Sequence, residues 1–395
     1  MVDKKNLFSF LVILSFLISF FSCKTSDADP YTAFNYDFNE EHISVPSKGE
    51  DGFTIAVLPD IQNYTIFRCQ KEYNPKFPMS YHEILDRQMD FVANNSFGNG
   101  GGIGFAIFLG DLVSKRNEHL EEWIYADNAI SKLDSLIPFG VVIGNHDYDK
   151  WDRKKKSESW QVSGTKFYTK YFGSQSKHFA GKSWYRGSTE NDLNSYIIFN
   201  ACGYDFLFIG LEFEPSDEAI AWAQSVIDSH PDLPCIIATH GFLRLAKEKA
   251  SGNNRFVKMT HRKEGEGNSG SSLFKKLIKP NKNVFLVLCG HVCSGPEGEG
   301  MRVDVNDFGY KVYSILSNYQ NRADTYKAYG LDKDYGGAVE ENGDGFLRLM
   351  NFDFKRKICH VQTYSTEFKT FEIDADSDFF IDLEWDSRFT KKDAE

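Results

Sequence analysis

Six apolar runs of strand length recur between residues 53 and 291. They read FTIAVLPD (53–60), FAIFLGD (105–111), FGVVIGNHD (139–147), YDFLFIGLE (204–212), PCIIATH (234–240) and NVFLVLCGH (283–291). Successive positions within each run are apolar, so both faces of the corresponding strand would be buried. The pattern therefore predicts strands of a sheet that other elements cover.

Helical patterns lie between several of these runs. Apolar residues recur on one helical face in 81–95, 119–135 and 217–230. Further strand-like runs follow within 311–365. The alternation of strands and helices predicts a layered α/β fold with a β-rich C-terminal region.

Five of the six predicted strands end on residues that can bind a metal. These residues are Asp60, Asp111, Asn145 with His146, His240, and His291. In α/β sheets, ligands bind beyond the carboxyl ends of the strands, and buried Asp or His side chains are uncommon unless they are paired or ligating. Any single member, such as His240, could instead be a capped core histidine. The set as a whole predicts a metal site at one edge of the sheet.

Composition and charge restrict the kinds of molecule that the protein is expected to bind. The chain has 395 residues, of which 41% are hydrophobic and 26% charged, as in a soluble globular protein. A formal net charge of −11 argues against a general nucleic-acid-binding surface. Two basic segments, 150–156 and 244–263, leave directly from ligand-bearing strand ends. We expect them to rim the site and attract an anionic substrate, and the second segment also contains His261.

The first 23 residues predict export rather than a folded element. Two lysines precede an apolar run over 7–21, and Cys23 follows it. The run is shorter than the ~20 residues that a membrane span needs. This stretch resembles a bacterial lipoprotein signal, which implies a signal peptide over 1–22, lipidation of Cys23, and a tether or edge segment over 23–50. We therefore expect an exported protein, lipid-anchored to a bacterial membrane on its periplasmic or cell-surface side.

Five ordered motifs lie at the predicted strand ends. They read PDIQ (59–62), LGD (109–111), GNHD (144–147), THG (239–241) and CGHVC (289–293). They resemble the signature of the calcineurin-like metallophosphoesterases, which is D-x-H, G-D, G-N-H-D/E, a lone His and G-H-x-H. The resemblance covers roughly residues 52–320. It implies an α/β/β/α sandwich with a catalytic domain over 51–320 and a β-rich C-terminal extension over 321–395 that packs on the core.

The resemblance also implies two metal ions bridged by Asp111, and zinc, iron or manganese would suit the ligand types. The second metal would bind residues that are all present, namely Asp111, Asn145, His240 and His291. The first metal would bind Asp60, Asp111 and two positions where Gln62 and Cys293 replace the family's histidines. Gln62 could ligate through its oxygen or hold a water, and Cys293 is either a thiolate ligand or an inert buried thiol. The first site is therefore expected to be weakened or even empty.

The activity implied by the resemblance is hydrolysis of phosphate monoesters or diesters by a metal-activated water. His146 would stabilise the transition state or protonate the leaving oxygen. Asp147 would orient His146 by accepting its other ring proton, unless it is a helix or turn cap. Two alternatives stay open. One is a non-catalytic relative that binds a phosphorylated or glycan ligand at the cell surface, and the other is a hydrolase with a single metal.

Overall fold

The computed structural model describes residues 51–114, 118–152, 161–245, 254–262, 265–293, 298–324 and 341–391. The predicted signal peptide, Cys23 and the tether lie outside these residues, as do parts of both basic segments. Within the described ranges, no helix combines the length and the apolar character that crossing a bilayer requires.

The described residues form strands and helices in the following order. The strands are β1 Gly52–Leu58, β2 Ile103–Phe108, β3 Phe139–Val141, β4 Lys150–Asp152, β5 Gln161–Ser163, β6 Tyr185–Ser188, β7 Ser195–Ala201, β8 Tyr204–Leu211, β9 Cys235–Thr239, β10 Val284–Cys289, β11 Glu299–Val305, β12 Lys311–Ser317, β13 Phe346–Asp353, β14 Ile358–Ser365, β15 Thr370–Glu372 and β16 Asp378–Asp382. The helices are α1 Gln62–Thr65, α2 His82–Asn94, α3 Leu120–Ile130, α4 Lys166–Phe172, α5 Asp217–Ser229 and α6 Gly270–Leu273. Each of the six apolar runs contains a strand, and each predicted helical segment contains a helix.

The strands form two large sheets and one small hairpin. In the first sheet the order is β15-β14-β13-β1-β2-β3, and β16 also pairs with β14. In the second sheet the order is β11-β12-β10-β9-β8-β7-β6, whereas β4 and β5 form the hairpin. β1, β2 and β3 are parallel, as are β8, β9, β10 and β12. The carboxyl ends of the parallel strands therefore lie at one edge of each sheet.

The two sheets pack face to face, and helices cover their outer faces. Along β1, Phe53, Ile55 and Val57 belong to a core shared with the second sheet, while Ala56 and Leu58 belong to a core shared with α2 and α3. A third apolar cluster lies between the second sheet and α5. Because both faces of β1 are buried, its sequence is continuously apolar. The predicted α/β/β/α sandwich is confirmed.

Strands from the C-terminal region belong to the first sheet. β13 lies between β1 and β14 and pairs antiparallel with β1, so that Gly52 is opposite Asp353 and Val57 is opposite Arg348. The region after β12 is thus β-rich, as predicted, and it completes the sheet whose strands lead to Asp60 and Asp111.

Four buried charged residues link the two sheets. They are Glu299 on β11, Arg322 after β12, Arg348 on β13 and Glu372 on β15. Both arginines donate to the Glu299 carboxylate, and Arg322 also donates to Glu372. We call these residues the sheet-linking cluster. Two cations balance two anions within it, so the loss of any one member would leave a buried charge uncompensated.

Removing one cation from the sheet-linking cluster is expected to lower stability strongly. In Arg348→Met, Glu299 would lose one of its two guanidinium partners in a fully buried position. Removing one member of a buried ion pair costs about 3–5 kcal/mol. Urea denaturation followed by circular dichroism would measure the free energy of unfolding.

Arg302→Met is the matched control for this experiment. Arg302 pairs with Asp304 at a partly exposed position on β11. Exposed pairs of this kind contribute about 0–1 kcal/mol. Equal losses of stability in the two variants would contradict the role of the sheet-linking cluster.

Candidate metal centre

The five predicted strand ends meet at one edge of the sandwich. Asp60 follows β1, Asp111 follows β2, Asn145 follows β3, His240 follows β9 and His291 follows β10. All of them are buried except His291, which is half-buried. One ligand atom from each of Asp111, His240 and His291 lies within 4.8 Å of the others. The fold therefore brings these predicted ligands into one site.

Three of the predicted ligands have a left-handed backbone conformation. The φ angle is 44° at Asp60, 52° at Asp111 and 70° at His291. Positive φ is uncommon for residues other than glycine, and strained backbone of this kind costs on the order of 1–3 kcal/mol per residue. Its recurrence at three strand ends of one site indicates that the surrounding structure holds these side chains in position.

Two glycines let the carboxylates approach the backbone closely. A Cβ atom at Gly144 would lie 2.2 Å from Asp111 Oδ1, and one at Gly290 would lie 2.2 Å from Asp60 Oδ2. Any larger residue at either position would displace a predicted ligand. The glycines of the GNHD and CGHVC motifs are therefore required by the geometry of the site.

His240 lies at the centre of the site. Its Nδ1 donates to the Leu109 carbonyl oxygen at 2.7 Å, which leaves Nε2 facing the other ligands. Nε2 lies 3.2 Å from Asn145 Oδ1 and 3.2 Å from Asp111 Oδ2. A metal-binding histidine usually donates its second ring N–H to such a carbonyl. The imidazole, the amide oxygen and the carboxylate together fit a divalent transition metal.

The charges in the site are interdependent. Burial lowers the pKa of His240, but the attraction of Asp111 and Asp60 outweighs burial and raises that pKa to about 9. Burial and the charge on His240 lower the pKa of His291 to about 3, so this imidazole is neutral. Burial raises the pKa of Asp60 well above its usual value, although His240 opposes the shift. A proton on His240 thus offsets the carboxylates, and a metal ion would compete with it.

His146 lies beside the ligands in the turn Asn145–Asp147. Its backbone N–H donates to Asp111 Oδ1 at 2.8 Å. Its Nδ1 lies 3.0 Å from the Ser114 carbonyl oxygen, and the indole of Trp151 packs edge-on with its ring centre 5.0 Å away. When Nδ1 donates to Ser114, Nε2 is the atom that can exchange a proton with a substrate.

The structure corrects the role predicted for Asp147. Its carboxylate accepts three backbone N–H groups, from Leu112 (2.7 Å), Val113 (3.2 Å) and Gly144 (2.8 Å). The ring of His146 is instead oriented by the Ser114 carbonyl. Asp147 therefore joins the turn after β2 to the turn after β3, which agrees with the capping alternative.

The two departures from the family signature are connected by a third side chain. Gln62 Nε2 lies 3.3 Å from Asp111 Oδ2 and 2.5 Å from Gln320 Oε1. Gln320 Nε2 in turn donates to Cys293 Sγ at 2.9 Å. Burial raises the pKa of the Cys293 thiol, which favours its protonated form. The positions of the family's two imidazoles thus carry an amide and a thiol that Gln320 joins.

Sequence reasoning missed Gln320, although a signal for it was present. The segment SNYQN (317–321) is rich in side-chain amides and directly follows β12. β12 is parallel to β10, so its carboxyl end lies at the edge that carries His291. A search for amides as well as for acids and histidines at strand ends would have found this residue.

His261 lies beside the predicted ligands. Its ring centre is 5.6 Å from that of His291 and 5.8 Å from that of Trp151. Glu214 fixes this segment, because its carboxylate accepts the backbone N–H groups of Thr260 (2.6 Å) and His261 (3.0 Å). His261 and Trp151 therefore line the site next to the ligand cluster.

One basic residue of the second predicted segment forms hydrogen bonds within the fold. Arg262 is mostly buried and donates to the Glu212 carboxylate and to the Tyr148 hydroxyl. Its charge is therefore compensated by a partner within the fold. Positions 153–156, 246–253 and 263 of the basic segments lie outside the described residues.

The fold and the site define a class of protein: an α/β/β/α sandwich with acidic, amide and imidazole groups at the carboxyl ends of strands from both sheets. Residues 53–295 match the calcineurin-like phosphoesterase family. The chain belongs to this family.

One curated relative extends the comparison. Over 319 residues, the chain is 30% identical to the uncharacterized protein YvnB of Bacillus subtilis (strain 168). The match covers 80% of this chain but only 20% of YvnB, so the chain spans about a fifth of the length of that relative. The similarity supports the family and assigns no particular substrate.

Proposed function

We propose that the protein hydrolyses phosphate esters at a metal held by Asp111, Asn145, His240 and His291. One observation carries the proposal: His240 Nε2 lies 3.2 Å from both a carboxylate oxygen and an amide oxygen, each at the end of a different strand. A metal bound there would supply Lewis-acid polarisation of a phosphoryl oxygen and a more acidic water as nucleophile.

The residues around the ligands would position the substrate and move its proton. His146 is tied to Asp111 through its backbone N–H, and the Ser114 carbonyl fixes its ring. Its Nε2 would donate a proton to the leaving oxygen, as general acids do when their pKa lies near the working pH. Trp151 and His261 would contact the ester group from the side of the site that they line.

The substrate class comprises both monoesters and diesters of phosphate. Two imidazoles, His146 and His261, both pack against Trp151 next to the ligand cluster. Imidazoles can donate hydrogen bonds to phosphate oxygens, whether two or three of these oxygens are unesterified. A second candidate function is the binding of a phosphorylated ligand without hydrolysis. It is favoured by Gln62 and Cys293, which replace the family's two histidines at the first metal site.

A hydrolysis assay separates these two functions. The full-length chain in detergent, supplied with zinc, manganese or ferrous iron, is expected to release nitrophenol from p-nitrophenyl phosphate or from bis(p-nitrophenyl) phosphate. Chelation should abolish the activity and metal addition should restore it. Without the ion, nothing would polarise the phosphoryl oxygen or make the attacking water more acidic. A chain that retains its metal but cleaves neither compound would contradict the enzymatic proposal and favour the binding function.

A further inference from the structure

Hydrogen bonds connect the two positions at which this chain departs from the family signature, Gln62 and Cys293. Gln62 directs its Nε2, a donor, toward Asp111 Oδ2 at 3.3 Å and toward Gln320 Oε1 at 2.5 Å. One amide nitrogen thus serves two acceptors, as an NH₂ group can. Asp111 Oδ2, which also lies 3.2 Å from His240 Nε2, therefore accepts a hydrogen bond from one of the two altered positions.

Cys293 is also engaged as an acceptor. Its Sγ accepts from Gln320 Nε2 at 2.9 Å and from Asn321 Nδ2 at 3.4 Å. Both amide groups thus donate to the sulfur, which is a weak acceptor. The sulfur therefore belongs to a network of amides within the described residues.

Gln320 is held firmly between Gln62 and Cys293. Its backbone N–H donates to Asn318 Oδ1 at 3.1 Å, and its carbonyl oxygen accepts from Asn63 Nδ2 at 2.9 Å. Both ends of its side-chain amide are in hydrogen bonds. Gln320 is thus placed by its neighbours, and its amide spans the gap between the two altered positions.

The opposite orientation of the Gln62 amide would bring several oxygen atoms together. With the amide turned over, Oε1 would face the Asp111 carboxylate and Gln320 Oε1, which places three oxygens together. The observed orientation leaves Gln62 Oε1 without a hydrogen-bond partner among the described residues. One under-satisfied neutral acceptor is less costly than a carbonyl directed at a buried carboxylate. The amide chain is therefore the stable arrangement without a first metal.

We propose that the chain Gln62–Gln320–Cys293 replaces the first metal, so that the centre holds a single metal ion bound by Asp111, Asn145, His240 and His291. The inference rests on the proposed function, since it concerns the same site. It departs from the two-metal centre of the family, because both missing imidazoles belong to one site, where the amides of Gln62 and Gln320 donate to Asp111 Oδ2 and Cys293 Sγ.

Metal content tests this proposal directly. Elemental analysis of the full-length chain in detergent, after saturation with zinc and removal of free metal, is expected to give about one ion per chain. The double variant Gln62→His/Cys293→His restores the family's ligands and is expected to bind about two. The matched control Gln175→His/Cys202→His makes the same exchanges outside the site, at an exposed glutamine and a half-buried cysteine, and should bind about one.

Cobalt provides a second readout that does not depend on activity. Cobalt-loaded wild-type protein should lack the near-ultraviolet thiolate-to-metal absorption of a Co–S bond. Such a band, if lost in Cys293→Ser, would overturn the proposal, as would two zinc ions in the wild type or one in the double variant. Failure of the proposed function looks different: one metal would be bound, but neither nitrophenyl ester would be cleaved.

Discussion

Asp111→Asn is expected to lower kcat/KM for phosphate ester hydrolysis by at least about 1,000-fold, because it removes a charged ligand from the metal centre. The Asp111 carboxylate lies 3.2 Å from His240 Nε2 and accepts the His146 backbone N–H at 2.8 Å. Asparagine tolerates left-handed backbone well, so the φ angle of 52° at this position should persist. Steady-state kinetics and metal analysis on the same sample would measure the loss of kcat/KM and the loss of bound metal together.

The control for this variant is Asp192→Asn. Asp192 also has a left-handed conformation, with φ of 57°, but it lies in the turn between β6 and β7, where it accepts from the Ser188 hydroxyl. Its replacement should leave kcat/KM and metal content unchanged. Full activity in Asp111→Asn, together with normal metal content, would exclude the charge of this carboxylate from the mechanism.

His146→Ala is expected to reduce kcat by about 100- to 10,000-fold, which is the usual contribution of a positioned general acid. Metal content should be unchanged, because the backbone N–H that holds Asp111 remains. The loss should be larger for phenyl phosphate than for p-nitrophenyl phosphate, since the poorer leaving group depends more on protonation. Kinetics with both esters would measure this difference.

Two further measurements make the His146 result specific. His82→Ala removes a partly exposed histidine that stacks on Tyr125 and should leave kcat unchanged. Inhibition by inorganic phosphate should persist in His146→Ala, which would separate catalysis from binding. Equal losses for the two esters would assign His146 a role other than proton donation, and undiminished hydrolysis would contradict the mechanism.

The central strands could be predicted because burial on both faces leaves a continuous apolar run. β1 and β10 are examples, and every residue of β10 is buried. β7 and β11 were not predicted, because each mixes buried and partly exposed positions. β11 even begins at Glu299, a buried acid whose charge is compensated by arginines distant in sequence. The sequence alone does not show which residues pair with Glu299, because the partners are brought together by the packing of the two sheets.

The candidate ligands could be predicted from residue type and position, whereas their hydrogen bonds could not. Strand ends identify His240 because parallel strands share an edge. The partner of Asp147 depends on how two turns fold against each other, so the expected contact with His146 was wrong. The same limit applies to Gln320, whose side chain reaches Gln62 from 258 positions away in the sequence.

The pairing of β1 with β13 has a consequence for the order in which the chain acquires its function. Thr54 donates to Asn351 at 2.7 Å across this pair, although the two residues are 297 positions apart. During synthesis, β1 emerges long before its neighbour, so one of its edges stays open until the ribosome has passed residue 353. Pairings of such long range form slowly, and open edges invite association with other chains. A nascent chain that stops before β13 would therefore display the first motifs of the metal centre on an unfinished sheet, vulnerable to aggregation and to proteases.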